Sequence, residues 1–288
     1  MGIGESRTGV TESPVDTARW VVPVLAVVGA GICLVTLIAG PAAFTAAGGP
    51  ALLSGLLAVA VLAPLALFAA RGRPGAGRAL VVAGGLVVLT HVVHTLPRVG
   101  VFAGLDWNWQ GKTLELLWLA VLLLVLHRWA RTAAGLRRPE PGTLGPALRL
   151  IVGWFLVVAC LVAFSLADFG PVDGERMLFD VAHPNLVEEL LWRGVLLAVL
   201  DRALGAPWRF FGARVGWGLV LTSVGFGLGH GLLVTGEGLL FDPAAIVLTG
   251  FAGLLLGWVR AYTGSVWLAY LAHCAPEVGI AAGELLRS

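Results

Sequence analysis

Long apolar runs, separated by short polar segments, dominate this chain. About nine of these runs approach the ~20 apolar residues that a helix needs to cross a bilayer. The first run continues as a full span, so the sequence gives no sign of a cleaved signal peptide. The pattern predicts an all-α polytopic transmembrane bundle of eight to nine spans. The predicted spans lie near residues 20–39, 51–70, 79–96, 113–130, 147–167, 184–200, 216–234, 243–261 and 265–285.

The polar segments suggest four parts of the chain. Residues 1–19 form a polar N-terminal tail, and residues 20–133 form an N-terminal four-span region. A cytosolic loop at 134–146, rich in arginine and proline, leads into residues 147–288. This rear region carries the unusual polar residues, so we expect it to hold the functional site.

Composition and charge support a membrane protein. Hydrophobic residues make up 58% of the chain and charged residues only 12%, whereas a soluble domain has about 25% charged residues. The net charge of +2 does not suggest a nucleic-acid partner. Lysine occurs once, as Lys112, which we attribute to base composition. Cys33, Cys160 and Cys274 show no paired spacing, so we expect small buried hydrophobic side chains.

The basic residues predict the orientation. With a cytosolic N-terminus, 14 basic residues fall in inner segments and four in outer segments, as the positive-inside rule requires. Under this orientation the most polar part of the rear region lies toward the outer half of the membrane. We therefore expect a multi-pass protein of the bacterial cell membrane with its N-terminus in the cytosol.

Two adjacent carboxylates and an arginine interrupt the sixth span. Each ionisable group inside a membrane costs about 2.5–3.5 kcal/mol on insertion scales, and such groups mark reaction or transport sites. Glu189 and Arg193 are four residues apart, so they share a helix face and can pair. Glu188 has Trp192 at the equivalent position and no cation on its own helix. We therefore predict Glu188 as a general base that activates a water, with a structural ion pair and a bystander glutamate as the alternative.

The two following polar spans carry histidines. His230 lies one turn after Phe226, and His273 lies one turn before Glu277 in the last span. These side chains could bind a metal, polarise a carbonyl or stabilise an oxyanion, although a single intramembrane histidine often serves a helix–helix hydrogen bond. Similar depths along their helices predict that Glu188, His230 and His273 converge on one cavity.

These motifs, in this order, resemble those of the CPBP family of intramembrane proteases, the CAAX prenyl protease 2 and Abi group. The resemblance covers roughly residues 150–285, and the four front spans carry no recognised signal. The residues concerned are Glu188, Glu189, Arg193, Phe226, His230, Gly264, Ser265, Trp267 and His273.

The resemblance implies a helical bundle with a CAAX-protease-like core in the C-terminal half and a conical cavity. By this analogy Glu188 activates the water, and Glu189 and Arg193 support it. His230 would hold or polarise the water, and His273 would complete the water site. The substrate would be a membrane or lipid-anchored peptide, including a prenylated one, so the expected partners are this substrate and the lipid bilayer.

One position departs from the family pattern. Glu277 stands where the family has asparagine or aspartate, four residues after the last histidine, in the oxyanion hole. Only a protonated glutamate can donate a hydrogen bond to an oxyanion. The resemblance also makes a divalent metal, zinc, a candidate cofactor, with Glu188, His230 and His273 as candidate ligands.

Three further interpretations stay open. His91 and His94, near Glu115, form a His-x-x-His pair that could ligate a metal, but polar residues at a span end explain them more simply. A catalytically silent relative acting in binding, immunity or regulation is the main alternative to a protease. A proton-coupled transporter is weaker, because two repeated halves with broken spans are missing from the sequence.

Overall fold

The structure, a computed structural model, describes residues 14–165 and 173–287 and is built mainly from helices. The predicted all-α class is confirmed. Residues 1–13 of the predicted polar tail lie outside the described residues, and helix α1 already begins at Pro14.

The front part of the chain forms α1 (Pro14–Ala39), α2 (Pro41–Ala69), α3 (Ala76–His94), a 3₁₀ turn (Gly100–Phe102), α4 (Trp109–Val125) and α5 (His127–Thr132). The rear part forms α6 (Leu144–Ala163), α7 (Gly174–Ala182), α8 (Pro184–Glu188), a π-helix (Glu189–Leu196), α9 (Leu197–Leu204), β1 (Trp208–Phe210), β2 (Ala213–Val215), α10 (Trp217–Gly231), β3 (Leu232–Thr235), β4 (Gly238–Phe241), α11 (Pro243–Thr263) and α12 (Val266–Arg287). Each strand pair, β1–β2 and β3–β4, is an antiparallel hairpin.

Five of the described helices are long and apolar enough to cross a membrane. They comprise most of α1 together with α2, α3, α6 and α11. The predicted count of nine is therefore not confirmed. The predicted span 113–130 divides between α4 and α5, and the predicted span 216–234 becomes the shorter α10 followed by β3.

The exposed faces of these helices are apolar. Leu37 is 82% exposed and Leu248 is 70% exposed. A soluble monomer rarely exposes large contiguous apolar patches, whereas such faces suit contact with lipid tails. The arrangement therefore agrees with a multi-pass membrane protein.

The front and rear regions share one hydrophobic core. Trp118 and Leu119 of α4 are fully buried, and they belong to the same cluster as Leu191 and Leu196 of the π-helix. Elsewhere in the rear region α10 lies close to α11, because Gly227 brings its backbone against the carbonyl of Ile246. The front helices thus pack directly against the helix that carries the two glutamates.

The loop at 134–146 is bonded to the turn between α11 and α12. That turn is made by Gly264, whose φ of 68° is readily adopted by glycine. Arg137 donates from Nε to the Gly264 carbonyl at 3.1 Å, and Ser265 donates from Oγ to the Arg137 carbonyl at 2.8 Å. The Glu140 amide donates to the Thr263 carbonyl at 2.8 Å. The Gly264-Ser265 pair of the motif therefore fixes the loop to the rear helices.

Candidate active site

The two adjacent glutamates lie where the helix changes type. Pro184 begins α8, a position that suits proline because no intrahelical partner is needed there. Glu188 ends α8 and Glu189 begins the π-helix. π-Helical turns are rare and occur frequently at functional sites. The helix passes through the core, because every residue of the π-helix is buried.

Glu189 is held on two sides. Arg193 donates from Nη1 to Glu189 Oε1 at 2.7 Å, and His273 Nδ1 lies 2.8 Å from the same oxygen. The side chain of Glu189 has no exposed surface. A buried carboxylate needs such partners to offset the loss of its hydration. We call the continuous helical segment 184–204, which carries the two glutamates, the motif helix. Glu189 therefore connects the motif helix to α12.

Glu188 faces a different direction and has a different partner. Its Oε1 atom lies 3.2 Å from Nζ of Lys112 on α4. The sequence showed no cation for Glu188 on its own helix, and the structure supplies one from another helix. The side chain of Glu188 keeps 18% of its surface exposed, so it remains accessible while paired.

Lys112 belongs to a polar cluster built by α3 and α4. Its Nζ atom lies 3.0 Å from Oε2 of Glu115, one turn along α4. The Thr90 hydroxyl donates to Oε1 of Glu115, and Nδ1 of His94 lies 3.7 Å from Oε2. The front region, in which the sequence showed no functional signal, thus supplies the cation next to Glu188.

The Phe226 ring joins the polar side chains of three helices. The guanidinium carbon of Arg193 lies 4.2 Å from the ring centroid, within the range of a cation–π contact. The ring centroids of His230 and His273 lie 4.5 Å and 5.8 Å from that of Phe226. Trp192 packs edge-on at 5.8 Å. The motif residues of the π-helix, α10 and α12 are therefore brought together around one aromatic ring.

His230 is oriented by its own helix. Its Nδ1 atom lies 2.8 Å from the Phe226 carbonyl. A proton on Nδ1 satisfies this contact and leaves Nε2 as an acceptor. The imidazole is thus held in a fixed direction with one nitrogen available.

A cavity of about 700 Å³ lies between the front and rear helices. Its polar lining includes Thr90, His91, His94, Lys112, Glu115, Glu188 and His230, and its apolar lining includes Leu191, Trp192, Phe226, Leu233 and Val234. The described lining residues do not include Glu189, His273 or Glu277. Glu188 and His230 therefore share a cavity, whereas His273 acts on Glu189 outside its lining.

Several predicted residues have other surroundings than expected. His91 and His94 line the cavity, although the sequence favoured simple positions at a span end. Glu277 is half-buried on α12, one turn beyond His273. Cys33 and Cys160 are exposed, contrary to the prediction of burial, and only Cys274 is buried. Asn185 donates to the sulfur of Cys274 at 3.6 Å, which ties α8 to α12.

The described residues do not fit a metal. Within residues 14–165 and 173–287, no three His, Cys, Asp or Glu side chains are grouped closely enough to hold one. His273 is turned toward Glu189, and Glu188 toward Lys112. The candidate set of Glu188, His230 and His273 is thus not assembled as a ligand set, and zinc stays a prediction.

Lys112 was not selected as a site residue from the sequence, and Glu115 was considered only as a neighbour of His91 and His94. A signal for them existed, because they form an acid–base pair three residues apart at the start of an otherwise apolar span. The contact between Lys112 and Glu188 joins residues 76 positions apart. The periodicity of residues along one helix cannot reveal a contact between two helices. The pair of Lys112 and Glu115 inside an apolar span, however, marks a candidate site by itself.

Residues 175–278 match the model of one protein family, described as Rce1-like, type II CAAX prenyl endopeptidase Rce1-like. The matched segment contains the motif helix, α10 and the histidine of α12. No curated protein and no solved structure matched the chain.

Proposed function

We propose that the chain is a membrane-embedded endopeptidase of the CAAX type, because residues 175–278 match the model of the Rce1-like family of type II CAAX prenyl endopeptidases. It hydrolyses a peptide bond of a membrane or lipid-anchored peptide with a water activated by Glu188. The single observation that carries this proposal is the division of the glutamates. Glu188 lines the cavity, whereas Glu189 is fully buried between Arg193 and His273.

Glu188 is suited to act as the general base. It accepts a proton from a water in the cavity while the water oxygen attacks the carbonyl carbon of the peptide bond. The tetrahedral intermediate then collapses, the C–N bond breaks, and the proton passes from Glu188 to the leaving amine. His230 supports this step, because its available Nε2 can accept a hydrogen bond that orients the water.

Glu189, Arg193 and His273 act as supports in this mechanism. Their contacts fix the start of the π-helix relative to α12. Positioning of reacting groups to within about 1 Å is worth up to 10²-fold in rate. These three residues therefore hold the base in place without contacting the water.

The cavity suggests the substrate class. Its volume is typical of a ligand pocket, and its wall of Leu191, Trp192 and Leu233 suits apolar side chains or a lipid chain. The family description, a CAAX prenyl endopeptidase, supports a prenylated peptide as one such substrate. We propose an apolar peptide segment as the substrate, and its prenylation is a separate question for experiment.

A catalytically silent relative is the second candidate. Two observations favour it: the ammonium of Lys112 already occupies one oxygen of Glu188, and Glu277 replaces the asparagine of the family. Such a protein would bind a membrane partner in the cavity and would act in immunity or regulation.

The two candidates are distinguished by a cleavage assay on the purified full chain in lipid nanodiscs. The substrate is a pool of internally quenched apolar peptides, with and without a farnesylated cysteine, and products are identified by mass spectrometry. We expect cleavage by the wild type and its loss in Glu188→Ala and His230→Ala. The matched control is Glu237→Ala at the exposed tip of the β3–β4 hairpin. Full cleavage by Glu188→Ala would contradict the proposal of a protease that uses Glu188.

The predicted orientation requires its own test. If the N-terminus is cytosolic, a reporter fused to it is protected from external protease in intact cells. External digestion of the reporter would reverse the assignment of inner and outer segments.

A further inference from the structure

Lys112, the lone lysine of the sequence, is buried between two carboxylates. It is 8% exposed and lies 3.0 Å from Glu115 and 3.2 Å from Glu188. A single cation shared by the buried carboxylate of Glu115 and the partly exposed carboxylate of Glu188 leaves a net negative charge in the cluster. Burial of this kind is costly unless the geometry is well satisfied. A role beyond packing is therefore the better explanation for a lysine at this position.

The partners of Lys112 are themselves fixed. Glu115 is 1% exposed and accepts a hydrogen bond from Thr90 on α3. Since Glu115 and Lys112 are three residues apart on α4, one helical turn sets their separation. A lysine side chain has a long flexible stem, and Glu115 restricts it. The contacts thus run from α3 through α4 to Glu188 on α8.

This line of contacts ends on the carboxylate that faces the cavity. Lys112, Glu115 and Thr90 also line the same cavity as Glu188. The geometry points to Lys112 as a positioning residue for Glu188, held in place by Glu115. The inference rests on the proposed function, and it assigns part of the active site to the front region, outside the matched residues 175–278.

Two substitutions at Lys112 separate the effect of its charge from the effect of its side-chain volume. Lys112→Met keeps an unbranched side chain and removes the ammonium that orients Glu188. Lys112→Arg keeps the charge. If Lys112 positions Glu188, Lys112→Met lowers kcat by about 10²-fold with little change in KM, because only the reacting geometry is altered. Lys112→Arg restores a substantial part of kcat.

The matched control lies on the same helix. Gln110 is buried on α4, and its side chain bonds the backbone of Val99 and Pro97 and does not line the cavity. Gln110→Ala therefore removes buried polar contacts of α4 without touching Glu188. We expect it to keep the wild-type kcat while lowering thermal stability.

The experiment measures kcat and KM for wild type, Lys112→Met, Lys112→Arg, Gln110→Ala and Glu188→Ala on the same peptide in nanodiscs. Loss of activity in Glu188→Ala together with full kcat in Lys112→Met overturns this inference and leaves the proposed function intact. A wild type that cleaves no peptide, or full activity in Glu188→Ala, overturns both.

A stability measurement covers the case in which Lys112→Met folds poorly. The measurement is a double-mutant cycle on the midpoint of thermal unfolding. Removal of Lys112 leaves the buried carboxylate of Glu115 and the partly exposed carboxylate of Glu188 without their shared cation. The double variant Lys112→Met/Glu188→Gln should therefore be more stable than Lys112→Met alone. Strictly additive effects would mean that the two side chains do not interact, and they would overturn the inference.

Discussion

His273 and Glu189 are joined across 84 positions by a contact of 2.8 Å between Nδ1 and Oε1. The same oxygen accepts the hydrogen bond from Arg193. The last histidine of the motif set therefore contacts Glu189, whereas His230 lines the cavity.

The two histidines should differ in their effect on catalysis. His230→Ala removes a group in the cavity, so we expect kcat to fall by 10²–10⁴-fold, the usual range for a group that assists proton transfer. His273→Ala removes a contact to Glu189 and should cost less in kcat but more in thermal stability. Steady-state kinetics and thermal unfolding of both variants test this order. A larger loss of kcat in His273→Ala would mean that His273 faces the reacting water.

Removal of Arg193 should destabilise the fold. The loss of one partner of a buried ion pair costs about 3–5 kcal/mol, because the other charge is left uncompensated. Arg193→Met should therefore unfold at a much lower temperature, and Glu189→Gln in the same chain should recover part of the loss. Arg176→Met is the control, because the ion pair of Arg176 with Asp180 is partly exposed, and about 0–1 kcal/mol is expected for such a pair. Equal effects of Arg193→Met and Arg176→Met would contradict the description of a buried pair.

Gly225 fixes how closely α10 approaches the motif helix. A Cβ atom at Gly225 would meet the Trp192 ring at 2.9 Å and Leu62 at 3.1 Å. Gly225→Ala should therefore cost about 1–3 kcal/mol through overpacking. Gly229 on the same helix has nothing within 4 Å, so Gly229→Ala should be neutral or stabilising through helix propensity. Chemical unfolding of both variants measures their free energies of unfolding. Equal values for Gly225→Ala and Gly229→Ala would mean that Trp192 does not pack against Gly225.

Restoring the family's residue at position 277 should change little. Glu277 is half-buried on α12, outside the described lining of the cavity. We therefore expect Glu277→Asn to keep kcat within the same order of magnitude, with Glu284→Asn near the end of α12 as the control. An increase of tenfold or more in kcat would show that Glu277 takes part in the reaction and that its carboxylate impairs it.

The similar depths of the polar residues along their helices predicted which helices meet. Ionisable residues inside apolar runs are costly, so Glu188, Glu189, Arg193, His230 and His273 could be selected without a structure. The spacing of Glu189 and Arg193 also predicted their pairing, because residues four apart share a helix face.

Two features could not be predicted in this way. The cation next to Glu188 comes from another helix, and local spacing contains no information on contacts between helices. The change of helix type at Glu189 is also hidden, because the order of residues in Glu189–Leu196 gives no sign that separates a π-helix from an α-helix. The helices α10 and α4 are shorter than their apolar runs, since an apolar run sets hydrophobicity but does not fix where a helix ends.

The π-helix Glu189–Leu196 makes this segment tolerant of a change in its length. A π-turn contains one residue more than an α-turn. Deletion of a single apolar residue here, such as Leu190, would let the segment return to an α-helix with its apolar character unchanged. The chain before it would then keep about the same direction relative to α9, because the π-turn is what takes up the extra residue. The same deletion within the α-helical segment α9 would instead turn Glu188 by about 100° relative to the residues that follow. A single deletion can therefore be absorbed in the π-helix, whereas in α9 it would change the direction of the whole motif.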